Sequence, residues 1–143
     1  MASQNLQNHA QRVPGFLAVG LVLVVTFIGG AVNLYKSVGD HQRIYSAALV
    51  PVLTICVFMV GWYARQFALR AQDRAIRAEE SLRHYILTGK PLDPRLAPLQ
   101  IVALRFAGDD EFPALAIRAA EQNLPPADIK AQVKYWRPDT YRV

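Results

Sequence analysis

The sequence predicts an all-α chain: a membrane helical hairpin whose second helix extends into the cytoplasm, followed by a small helical C-terminal head. Three observations lead there. Residues 14–35 contain no Asp, Glu, Lys or Arg, and neither do residues 44–64. A helix needs roughly 20 such residues to cross a hydrocarbon core of about 30 Å. Buried helices of soluble bundles rarely run charge-free for so long. From Ala64 to Leu87 there is neither Gly nor Pro, and good helix formers dominate.

The elements follow in order. Residues 1–13 are a polar tail rich in Gln and Asn, with Arg12 its only charged side chain. Transmembrane helix 1 occupies 14–35, entered at Pro14 and Gly15 and closed by Tyr35 at the interface. Its apolar stretch exceeds a signal core and a second span follows at once, so it reads as retained. Residues 36–40 form a short turn, where Gly39 suits a left-handed backbone and Asp40 suits an N-cap. Transmembrane helix 2 spans 41–64, with Pro51 expected to kink it and Trp62 and Tyr63 at its exit. Residues 65–88 continue that helix into water, so that from His41 to Leu87 it would be roughly 70 Å long at 1.5 Å per residue. Asp73 with Arg77, and Glu79 with Arg83, are spaced for surface ion pairs. Gly89 and Pro91 are the stop.

Residues 89–143 read as the head, with three short helices. The first covers Pro98 to Ala107. Asp109 and Asp110 are expected to cap the second, which has Pro113 in its first turn and ends near Asn123. The third opens at Pro126 and reaches Trp136. No period-two strand pattern is visible.

Charge sets orientation and partners. The net charge is +5. Residues 65–95 hold seven bases and four acids, whereas residues 96–143 hold six of each. The excess sits beside the membrane, so Arg65, Arg70, Arg74 and Arg77 are candidates for lipid headgroup contact. The connecting turn has only Lys36 and Arg43, which places both termini on the cytoplasmic side. A neutral head argues against nucleic acid.

The most informative pattern is a helix-packing seam. Gly61, Ala64, Ala68, Ala71, Ala75, Ala78, Leu82 and Tyr85 recur at alternating gaps of three and four. Small side chains on a heptad seam let two helix backbones approach closely. The partner is a second copy, the head folding back, or another protein, so a homo-oligomer or a larger membrane complex is expected.

No catalytic, cofactor or metal site is legible. There is no phosphate loop, nucleophile elbow or zinc spacing. His9, His41 and His84 are far apart and read as surface residues. Cys56, the single cysteine, reads as a small packing residue. Asp109, Asp110 and Glu111 suggest helix capping before cation binding or catalysis. The spans offer only Thr26, Asn33 and Thr54 as polar groups, so a transport accessory or oligomeric pore is the alternative to a structural or interaction role.

Several pieces carry a resemblance when taken together. They are Asn8-His9 before Pro14, Gly39-Asp40-His41, Tyr45-Ser46-Ala47-Ala48-Leu49, and Gln72 through Glu80. Leu82-Arg83-His84, Leu104-Arg105-Phe106-Ala107 and Asp110-Glu111-Phe112-Pro113 complete the set. The chain resembles a bacterial family of small membrane proteins of unknown function over nearly its whole length. That resemblance implies a bacterial source and an inner (plasma) membrane location. It implies no reaction and no site residues.

Overall fold

The computed structural model describes residues 5–6 and 13–139, so the expected polar tail lies largely outside the described residues. Among the described residues the fold is all-helical: α1 (Pro14–Lys36), α2 (Ile44–Thr88), α3 (Pro98–Leu104), α4 (Phe112–Glu121) and α5 (Pro126–Gln132). The chain divides into two compact units, and the division cuts α2 between Ala68 and Leu69.

In the first unit, α1 and the first half of α2 are each long and apolar enough to cross a membrane. Pro14 sits in the first turn of α1, where its missing N–H costs nothing. After α1, Gly39 adopts φ +94°, which a side chain would strain. The Asp40 carboxylate accepts from the backbone N–H of Gln42 at 3.0 Å and of Arg43 at 3.3 Å. This local turn occupies residues 41–43, so the second helix begins at Ile44 and not at His41. The Asp40 side chain takes two of the free N–H groups of this turn, and Ile44 N–H donates to Asp40 C=O at 2.9 Å as the helical ladder begins.

At Gly30 the backbone of α1 comes close to α2. A Cβ placed there would lie 2.9 Å from Val50 Cγ1 and 3.2 Å from Pro51 Cδ. The missing side chain is what admits the pyrrolidine ring of Pro51, itself buried within α2. Gly30→Val is expected to push the helices apart, at a cost of about 1–3 kcal/mol. The check uses Thr54, which is 8% exposed. A Thr54→Cys reporter in a Cys56→Ser background should react faster with N-ethylmaleimide when Gly30→Val is added. An unchanged rate would remove the contact from the packing account.

The second unit is built on one small core. Leu104, Phe106, Phe112, Leu115 and Ile129 are its largest fully buried side chains. Buried Gln100 ties the helices together. Its side-chain oxygen accepts from Ala97 N–H at 2.7 Å, and its amide donates to Leu124 C=O at 2.8 Å. Both ends of the amide are therefore satisfied, as burial demands. Gly89 takes φ +69° and its N–H bonds Tyr85 C=O at 2.8 Å, closing α2 as expected.

Three expectations for the head need correction. The first head helix ends at Leu104, not Ala107, because Phe106 and Ala107 pair with the C-terminal segment instead. Gly108 N–H donates to Tyr135 C=O at 3.0 Å, and Arg137 N–H to Phe106 C=O at 2.8 Å. The last helix accordingly stops at Gln132, and Trp136 lies in an extended segment with its ring 4.9 Å from that of Phe106. Asp109 and Asp110 do not cap α4, which starts at Phe112 without a side-chain cap. Glu111 instead accepts from the N–H groups of Lys134 and Tyr135, each at 3.1 Å. One carboxylate thereby replaces the ladder bonds that the extended segment lacks.

Candidate functional site

Beyond Leu69 the helix α2 has two unlike faces. Ile76, Glu80 and His84 are buried, at 7%, 4% and 7% exposure. Ala71, Ala75, Ala78, Leu82 and Tyr85 on another face are exposed. A 3.6-residue period puts these sets well over 100° apart around the helix.

The buried face is held by Arg83. Its guanidinium donates to Glu80 at 2.9 Å, to Asp109 at 2.7 Å and to Ala107 C=O at 2.7 Å. It also lies 4.5 Å from the ring centre of Phe112. Glu80 receives a second, longer contact from Arg137 at 3.6 Å. The expected pair of Glu79 with Arg83 does not form, and no ion pair joins Asp73 to Arg77. The physical reason is burial: a guanidinium sheltered from water gains more from two carboxylates and a carbonyl than from one solvated surface partner.

His84 is also corrected, from a surface residue to a buried one. Its Nδ1 lies 3.0 Å from Lys90 C=O, so in the neutral ring that nitrogen carries the proton. The ring meets Phe112 edge-on at 5.8 Å. It lines a cleft of about 410 Å³ with Thr88, Pro91, Pro94 and Ile117. At the cleft edge, Arg95 hydrogen-bonds Asp93 and holds its carboxyl at about 2, below its ordinary 3.8.

The remaining candidates are dispersed. Asp109 is committed to Arg83 and Glu111 to the extended segment. Among the described residues no group of three or more His, Cys, Asp or Glu is placed to hold a metal. Cys56 is exposed and not packed. The hydroxyls of Thr26 and Thr54 donate to the carbonyls of Val22 and Val50, both at 2.8 Å, and so are satisfied within their own helices. Arg65 lies 5.1 Å from the ring centre of Phe16, while Arg70, Arg74 and Arg77 are exposed.

The seam residues stand out by what they lack. From Ala64 to Tyr85 every one of them is exposed, and Gly61 is half-buried. Phe67 is 61% exposed, and beyond Leu69 the residues Leu82, Tyr85 and Ile86 are 60%, 56% and 72% exposed. The head does not cover its portion of the seam, because it packs on the Glu80–His84 face.

A family model described as a family of unknown function, DUF6526, matches residues 1–143. No curated protein and no solved structure matches the chain. The match runs the full length, across both apolar helices and the head, and on that ground the chain belongs to the DUF6526 family.

Proposed function

We propose that this protein is an integral membrane component of bacterial origin with a structural or interaction role. It forms a two-span helical hairpin in the inner membrane, with both termini and the helical head in the cytoplasm. It serves as an anchor or accessory subunit, assembling through the Gly/Ala seam of α2 as a homo-oligomer or within a larger complex. Its role is assembly, not catalysis.

One observation carries this reading. The apolar stretches of α1 and α2 are buried to only 6% and 17% of their residues, the reverse of core helices in a soluble protein. Lipid is the economical cover for such surfaces. The exposed seam extends the same argument beyond the membrane, where water gives Phe67, Leu82 and Ile86 no reason to stay uncovered. At 1.5 Å per residue along α2, Arg65 and Arg70 fall within about one Debye length of the headgroups of an anionic leaflet, and Arg74 and Arg77 stand farther out.

The test is alkaline carbonate extraction followed by native mass spectrometry of gently solubilised membranes. The protein is expected in the pellet, at a small multiple of 16.0 kDa or in fixed ratio with other polypeptides. Release into the supernatant would remove the anchor, and a bare monomer would remove the assembly role.

A further inference from the structure

We infer that the occupant of the seam is a second copy of this chain, running parallel and in register, locked by two symmetric Arg74–Glu79 ion pairs. This rests on the membrane-anchor reading above, since copies sharing one topology in one bilayer present α2 in the same direction.

The register follows from heptad geometry. Gaps of three then four make Gly61, Ala68, Ala75 and Leu82 the a positions, and Ala64, Ala71, Ala78 and Tyr85 the d positions. Phe67, Arg74 and Ser81 then occupy g, while Gln72, Glu79 and Ile86 occupy e. In a parallel two-stranded coil a g residue faces the e residue five positions later on its partner. Arg74 therefore faces the partner's Glu79, and Glu79 the partner's Arg74.

Three features of this surface support that pairing. Arg74 and Glu79 are both exposed, and neither forms an ion pair among the described residues. Arg83, the nearest competitor for Glu79, is consumed by Glu80 and Asp109. The other g–e pairings between Phe67 and Ile86 are Phe67 with Gln72 and Ser81 with Ile86, which bring no like charges together. An antiparallel pair would instead set g against g, and that row offers Arg74 no acid. A parallel pair slipped by one heptad would set Arg74 against Gln72 or Ile86. Charge complementarity thus selects one direction and one register. Alanine at the shared layers permits the close approach, and exposed Leu82, Tyr85 and Ile86 supply apolar area at its end.

The test uses the full chain in native membranes, with Cys56→Ser as parent. Ala71→Cys and Ala78→Cys, each at a d position, should cross-link to themselves under copper phenanthroline, whereas Arg77→Cys on another face should not. Added to Ala78→Cys, R74E alone places Glu against Glu, and E79R alone places Arg against Arg. Each is expected to lower cross-linking roughly fivefold to tenfold. Co-expressing the two single variants restores both attractive pairs in the mixed dimer, so cross-linking between the two differently tagged chains should return to the parent level. Seam cross-links that are indifferent to R74E and E79R would overturn this register while leaving self-assembly standing. Oligomers without seam cross-links would overturn the seam itself. A chain released by carbonate would take the membrane-anchor reading down first, and this inference with it.

Discussion

Arg83→Met should lower the melting temperature of the head by roughly 10–20 °C, from a loss of about 3 kcal/mol. The side chain of Arg83 is 10% exposed and that of Glu80 is 6% exposed. Methionine keeps most of the aliphatic stem but removes every donor. Glu80 is then left in low dielectric with only the longer contact to Arg137 at 3.6 Å, and Ala107 C=O loses its charged donor. Stranding a buried charge costs more than the pair contributed, because its desolvation is no longer offset. The partner variant separates these effects. Glu80→Gln added to Arg83→Met removes the stranded charge, so the double variant should be more stable than Arg83→Met alone. Fluorescence can report this in the whole protein. Trp62→Phe leaves Trp136, packed on Phe106, as the single indole. A melting temperature within about 2 °C of the parent would mean that the network is solvated and structurally idle.

Phe112→Ala should cost the head about 3–5 kcal/mol. The ring is fully buried, lies under the Arg83 guanidinium and meets the edge of His84. Its loss opens a cavity at the junction of α2 and α4 that neither the guanidinium nor the imidazole can fill. Phe112→Leu separates volume from aromatic contact. It retains most of the volume and should cost about 1–1.5 kcal/mol, with the remainder of the alanine effect assigned to the cavity. Equal losses for the two variants would show instead that the ring's contacts with Arg83 and His84 dominate. The same single-tryptophan melt reads both.

Much of this architecture was legible in composition and punctuation. The absence of charge in residues 14–35 and 44–64 marks two apolar helices. The absence of Gly and Pro after Ala64 predicts one helix to the Gly89 stop, and α2 runs unbroken over 45 residues to Thr88. These features are local, set by backbone propensity and by the solvent each stretch tolerates. What failed was local reasoning applied to charged groups. Glu79 and Arg83 have good helix spacing, yet Arg83 turns to Glu80 and Asp109. Asp109 and Asp110 have good capping chemistry, yet neither caps α4. His84 carries no sequence mark of burial. The one available hint was periodic: Ile76, Glu80, Arg83 and His84 share the side of α2 opposite the alanines.

By itself, then, the sequence determined the number and type of the helices, their stops at Gly39 and Gly89, and the heptad spacing of the seam. Those depend on contacts within a few residues along the chain. Only the tertiary structure decided which face of α2 the head covers, where Arg83 finds its partners, and that Trp136 leaves its helix to pair with Ala107. Such outcomes depend on groups more than twenty residues apart meeting in a shielded core, where hydrogen bonds and charge pairs strengthen enough to override the spacing rules that hold in water.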